Sequence, residues 1–256
     1  MKGLKIVSSH FGEDVSWLDS SEFSYLVVSK GHEIPRVRDF VTIDNRGLEF
    51  GSYLWYILNY WDDLPDRIAF IHGHLNSYHQ QHSVDQQIRN LADSDFAFLN
   101  GSFSLALHRF DLNHPWFGWN FGAMWNFLGL DSIRAAPLVA STIPGTQSII
   151  SRDLIKSRGK FFWERILNCM HHESHYHLAL VMEIAWPTIF GLGEELFSVD
   201  EFRSFFDQKN LSVLIAHPKE AWNSSMPNTV KFETPESRDS WISCCLEIFQ
   251  EFSKVY

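Results

Sequence analysis

A chain of 256 residues with 45% hydrophobic and 20% charged side chains has the composition of a folded globular protein and excludes a disordered one. Its formal charge of −10 repels polyanions, so duplex nucleic acid and acidic lipid are poor partners. Three cysteines, two of them adjacent at Cys244 and Cys245, form no disulfide framework, and no run approaches the ~20 apolar residues of a membrane span, so a cytoplasmic protein is expected.

Taken in chain order, Lys5 to Ser9 reads as a buried strand followed by the polar loop His10-Phe11-Gly12-Glu13-Asp14. Tyr25 to Ser29 is a second strand closed by Lys30-Gly31, and Phe40 to Ile43 a third ended by Asp44-Asn45-Arg46-Gly47. Phe50, Tyr53, Leu54, Ile57, Leu58 and Trp61 then fall on one helical stripe. Pro65 stops that helix, because proline bars its predecessor from helical dihedrals, and Arg67 to Ile71 resumes as a strand. Strand, helix, strand in this order predicts a parallel crossover.

Further on, Ser83-Val84-Asp85-Gln86 has the form of a capping box, predicting a helix to about Ala92, and Phe96 to Leu99 is strand-like. Residues 100–145, rich in Gly, Asn, Pro and Trp, read as an extended insertion that covers or builds a site. Gln147 to Ile150 is strand-like, helices are expected over roughly 153–168 and 175–190, and Ser198 and Thr234-Pro235 open two more. One domain is the default: an α/β unit over 1–191, with a helical extension over 192–256 packed on it.

In an open α/β sheet ligands bind beyond the carboxyl ends of the strands, which directs attention to Glu13-Asp14, Asn45-Arg46-Gly47 and His72-Gly73-His74. Arg46 precedes a helix N-terminus, where backbone N–H groups and the helix dipole favour a diphosphate; turn chemistry equally explains the neighbouring Asn and Gly. His72 and His74, two apart on a strand, share a face, with His79 and His82 following; such imidazoles suit a metal such as zinc, or hydrogen bonds to a polar ligand or to the loop itself. His171-His172-Glu173-Ser174-His175 lacks the zinc-protease spacing. Lys30, Arg36, Arg38 and Arg46 form one basic cluster, and residues 152–165 another, each suited to a small phosphorylated ligand or to a solvated face. Glu183, followed by Trp186 on an apolar helix, has surroundings that raise a carboxyl pKa toward that of a general base, or else it pairs with an arginine. Ten tryptophans and 22 phenylalanines serve mostly the core, some lining a pocket where a sugar or base stacks. No Gly-x-Ser-x-Gly elbow, Walker loop or dinucleotide fingerprint occurs.

The segments Val7 to Leu18, Asn45 to Leu54 and Tyr60 to His74, with Gly145-Thr146-Gln147, Ser151 to Ile155 and Glu183 to Gly191, resemble domain-of-unknown-function family 3431 over about residues 5–191. That pattern is similar in turn to GT-A type, rhamnan-synthesis-like glycosyltransferases with an Asn-Arg-Gly-Arg-Asp stretch, although Leu48 and Glu49 stand where that stretch has Arg and Asp. His72-Gly73-His74 likewise replaces the usual Asp-x-Asp metal motif. The resemblance implies an open, mostly parallel sheet flanked by helices. It also implies transfer of a hexosyl or deoxyhexosyl group from a nucleotide-sugar donor to a glycan or other hydroxyl acceptor. Glu13 and Asp14 would contact the nucleotide, and Asn45, Arg46 and Glu49 the donor. His72 and His74 would flank the diphosphate or sugar, with or without a divalent manganese or magnesium ion, residues 100–150 would form the acceptor side, and Glu183 would be the base. Two other functions compete: a metal-dependent hydrolase using His72, His74, His79 and His82, and a non-catalytic carbohydrate-binding protein.

Overall fold

Strand β1 (Leu4–His10) is buried along almost its whole length, as a strand covered on both faces must be, and it lies at the centre of the sheet. This computed structural model describes residues 3–31, 35–76, 82–99, 106–109, 124–132, 139–142, 146–170, 175–191, 213–214 and 229–230. After β1 come β2 (Ser24–Ser29), β3 (Phe40–Thr42), helix α1 (Leu48–Asn59), β4 (Arg67–His72), α2 (Val84–Leu91) and β5 (Phe96–Phe98). Next in the chain are β6 (Ala106–Arg109) and β7 (Val139–Thr142), which belong to a second sheet, then β8 (Ser148–Ser151), α3 (Arg152–Ser157), α4 (Lys160–Met170) and α5 (His175–Ile189).

The first sheet has six strands in the order β3-β2-β1-β4-β8-β5. The run β3-β2-β1-β4 is parallel, with Val7 level with Leu26 on one side and Phe70 on the other. Strand β8 runs antiparallel to both β4 and β5, Ile149 facing Ala69 and Ala97. Alternation along the strands sorts the core into two layers. On one face Leu4, Ile6, Tyr25, Val27, Ala69, Ile71 and Ile149 join Val84 and Ile88 of α2. On the other, Phe70 meets Tyr53 of α1, and Trp186 of α5 stacks edge-on against Phe50 while its indole N–H donates to Ser148.

The expected helix at the Phe50 stripe and the Ser83 cap are both present, Ser83 Oγ accepting from the Gln86 N–H at 3.3 Å. The helix expected over 153–168 is two helices instead. Gly159, at φ +74°, turns the chain left-handed between α3 and α4, a conformation glycine adopts without a Cβ clash.

Two compact units make up the chain: Met1–Ser102 with Gly145–Phe190, and Phe103–Pro144 with Gly191–Tyr256. In the second, β6 and β7 pair antiparallel, and β9 (Val213–Leu214) and β10 (Thr229–Val230) extend the sheet in the order β10-β9-β6-β7. The helices expected from Ser198 and Thr234 lie outside the described residues; those described between 192 and 256 are strand. Among the described residues no helix is long and apolar enough to cross a membrane.

Candidate functional site

Strand β1 hydrogen-bonds to β2 on one side and to β4 on the other, both in parallel. The chain therefore moves outward from β1 through β2 and β3, then returns through α1 to β4. This reversal makes the carboxyl ends of β1 and β4 a topological switch point, where the outgoing loops part and leave a crevice.

On the α2 face, the loop after β1 is fixed by buried His10, whose Nδ1 pairs with Ser29 Oγ at 2.9 Å and whose Nε2 lies 3.1 Å from the Glu13 carbonyl. Glu13 turns its carboxylate back to the Phe11 N–H at 2.6 Å and lies against Gly73. A Cβ on Gly73 would stand 3.1 Å from Glu13 Cβ and 2.9 Å from Val15 Cγ1, so a side chain there would push the two loops apart. Trp17 completes the join, its indole N–H donating to the Gly73 carbonyl at 3.0 Å. Asp14, one residue on, is exposed and accepts from the Ser16 N–H at 2.9 Å, just before the short 3-10 turn at Ser16–Ser20. That hydrogen bond, the Ser16 hydroxyl and the more distant charge of Arg36 hold its carboxyl below the usual carboxylate range.

The α1 face carries the denser network. Thr146, in the approach to β8, is fully buried and gives its hydroxyl proton to Glu49 Oε1 at 3.2 Å. His72, the last residue of β4, places Nε2 3.2 Å from the same Thr146 oxygen and 4.0 Å from Glu49 Oε1. Its backbone N–H donates to Gln147 Oε1 at 3.1 Å. Lys30, at the end of β2, is only 7% exposed and donates its ammonium to the Leu48 carbonyl. The acceptor lies in an unusual turn: Gly47 at φ +70° and Leu48 at φ +49° are successive left-handed residues, and leucine in that conformation is strained by roughly 1–2 kcal/mol.

Burial sets the electrostatics of this face. It pulls the Lys30 ammonium down to about 8, with the charges of Glu49 and Glu13 opposing the shift. It lowers His72 as well, against the same two carboxylates, while His74 and Lys30 add to the lowering. His74 is exposed, but its charge reaches His72. Two carboxylates, one ammonium and two imidazoles thus act on one another at the end of the parallel strands.

The other expected residues are placed apart from this network. Asn45 and Arg46 are exposed, and Arg46 lines a depression of about 270 Å³ with Ile43, Asp44, Gly51, Trp55 and Leu167. Glu183 is half-buried on α5, one turn before Trp186. The basic residues from 30 to 46 divide: Lys30 is buried in the site, whereas Arg38 is exposed and paired with Asp19 at 2.9 Å. His82 is exposed and its carbonyl accepts from Gln87, while His79, His171, His172 and Glu173 lie outside the described residues. Among the described residues no group of three or more His, Cys, Asp and Glu side chains is placed to hold a metal ion. Thr146 is not among the site residues the sequence points to, and Lys30 is there only as one of a basic cluster suited to a small phosphorylated ligand or to a solvated face. The available signal for Lys30 was its place directly after a strand whose residues 25–29 are buried, where a lysine at the strand end has little room for a solvated position.

No curated protein and no solved structure matches the chain. Residues 6–98, which run from β1 to β5 and contain Glu13, Lys30, Glu49 and His72, match the model of the family described as Protein of unknown function (DUF3431), a shorter span than the 5–191 of the resemblance.

Proposed function

We propose that the unit built on the six-stranded sheet is a GT-A-like glycosyltransferase, moving a hexosyl or deoxyhexosyl group from a nucleotide-sugar donor to a glycan or other hydroxyl acceptor in the cytoplasm. The observation that carries this reading is the parallel order β3-β2-β1-β4, with charged residues gathered at the β1/β4 switch point. Open sheets of this order bind nucleotides in that crevice. In this reading the loop bearing Glu13 receives the nucleoside, and the Lys30, His72 and His74 edge receives the diphosphate and sugar. A divalent ion finds no fit there among the described residues, since the His72 Nε2 is taken up by Thr146 and no three ligating side chains converge.

A thermal-shift screen of uridine, guanosine, thymidine and cytidine diphosphates and their hexose conjugates, each with and without manganese, tests the reading. A ligand present at a hundred times its Kd stabilises the folded state by about 2.7 kcal/mol, which is readily measured. One nucleotide family is expected to raise the melting temperature, with the sugar conjugate exceeding the bare diphosphate. No shift with any of them refutes the proposal.

A further inference from the structure

We propose that Glu49 is the carboxylate that takes the acceptor's proton in this site, and that Thr146 and His72 are positioning residues that hold it there. This inference rests on the transferase reading and names the base within it. Glu183, the base implied by family resemblance, stands on α5 among buried Val181, Met182 and Trp186; Glu49 stands at the switch point itself.

The proton inventory supports the assignment. A threonine hydroxyl has one proton, and Thr146 gives it to Glu49 Oε1. The contact of 3.2 Å between Thr146 Oγ1 and His72 Nε2 must then run the other way, from the imidazole N–H to the hydroxyl oxygen. This fixes His72 in the tautomer protonated at Nε2. Burial lowers the His72 pKa and so favours the neutral ring, in which the Nε2 proton leaves Nδ1 as the acceptor. Imidazole, hydroxyl and carboxylate thus form a directed chain that ends on Glu49, built from β4, the approach to β8 and the first turn of α1. That first turn is also where a helix dipole favours a carboxylate.

A second observation points to the same spot. The Tyr53 hydroxyl, on the next turn of α1, is fully buried toward Thr146 and Glu49, yet it makes no well-formed hydrogen bond. Thr146 and Glu49 both act on it electrostatically, so it belongs to the same buried polar cluster.

The step balances as follows. The acceptor O–H bond breaks and its proton goes to Glu49. The freed oxygen electron pair forms the new bond to the anomeric carbon, and the bond from that carbon to the diphosphate oxygen breaks, its electron pair departing on the nucleoside diphosphate. Direct displacement of this kind inverts the anomeric centre.

The test uses the full chain and the nucleotide sugar that the thermal-shift screen selects. Glu49→Gln is expected to lower kcat at least about a hundred-fold, the scale of general-base catalysis, while the donor-induced thermal shift stays within a factor of two of wild type. Thr146→Val is expected to lower kcat about ten-fold with KM for the donor unchanged, and Thr146→Ser to restore it. Nitrogen NMR of the His72 ring at neutral pH is expected to show a proton on Nε2, lost from that position in Thr146→Val. Unchanged turnover in Glu49→Gln overturns the assignment, as does simultaneous loss of turnover and donor binding, which would make Glu49 a donor ligand. A wild-type protein that shifts with no nucleotide removes the transferase reading itself, a result distinct from either.

Discussion

Replacing Gly51 with alanine sets two predictions of opposite sign against each other. Gly51 lies inside α1, where glycine costs roughly 0.8–1.0 kcal/mol relative to alanine, so helix propensity alone predicts a more stable protein. Geometry predicts the reverse. A Cβ at this position would stand 1.9 Å from the Arg46 carbonyl oxygen and 3.0 Å from its carbon, more than an ångström inside ordinary contact. The obstructing atom is backbone and cannot rotate away, and it belongs to the segment that leads into the left-handed pair Gly47 and Leu48. Relief requires that segment to move, which is overpacking against the main chain. The cost is about 3 kcal/mol, several times the propensity gain. Urea unfolding followed by fluorescence and far-ultraviolet circular dichroism measures the difference between Gly51→Ala and wild type. A variant as stable as wild type, or more so, refutes the close approach and with it the described geometry of the turn that presents Glu49.

Lys30→Met gives a pH test. The folded-state pKa of Lys30, about 8, lies below the unfolded value, so between about pH 8 and 10.4 the unfolded chain binds more protons and stability rises with pH through that window, by roughly 3 kcal/mol at most. Below pH 8 both states are charged and this dependence vanishes; subtracting the Lys30→Met profile from wild type isolates it, and a flat difference across the window refutes it. Ser83→Ala removes the acceptor for the Gln86 N–H and should cost about 1 kcal/mol, read as a shift in urea midpoint. Trp186→Ala empties the space against Phe50, Trp163 and Phe190 and removes the indole donor to the Ser148 hydroxyl, for a loss of about 3–5 kcal/mol in the same assay.

Residues near one another in the chain carried the legible part of the fold. The stripe from Phe50 to Trp61 announces α1, Ser83 and Gln86 announce the start of α2, and the apolar runs at residues 5–9, 25–29 and 67–71 announce the parallel strands. Each signal needs only a few neighbouring residues, since helix and strand periods are properties of a single segment. The break at Gly159 was less legible, because a lone glycine in a helical pattern does not reveal whether its φ is positive.

The candidate loops, too, were legible, but not which of their side chains meet. The expected site residues include Glu13, Asp14, Arg46, Glu49, His72 and His74. Among them Glu13 lies against Gly73 and Glu49 and His72 meet at Thr146, while Asp14 accepts from the Ser16 N–H and Arg46 lines the depression beside Trp55. A shift of one residue along a strand end reverses the direction of a side chain, and only the register of β1 against β2 and β4 decides it.

By itself, the order of residues determined the class of fold, most elements of the six-stranded sheet and the edge of that sheet that gathers polar loops, because these follow from composition and local periodicity; the strands of the second sheet were not legible there. Tertiary structure alone decided that Thr146 reaches Glu49 across 97 positions of chain, that β8 runs antiparallel beside β4, and that Lys30 is buried beneath the turn at Leu48. Those pairings join distant segments, and their geometry is set by how the crossovers close the sheet rather than by any pattern within a single segment.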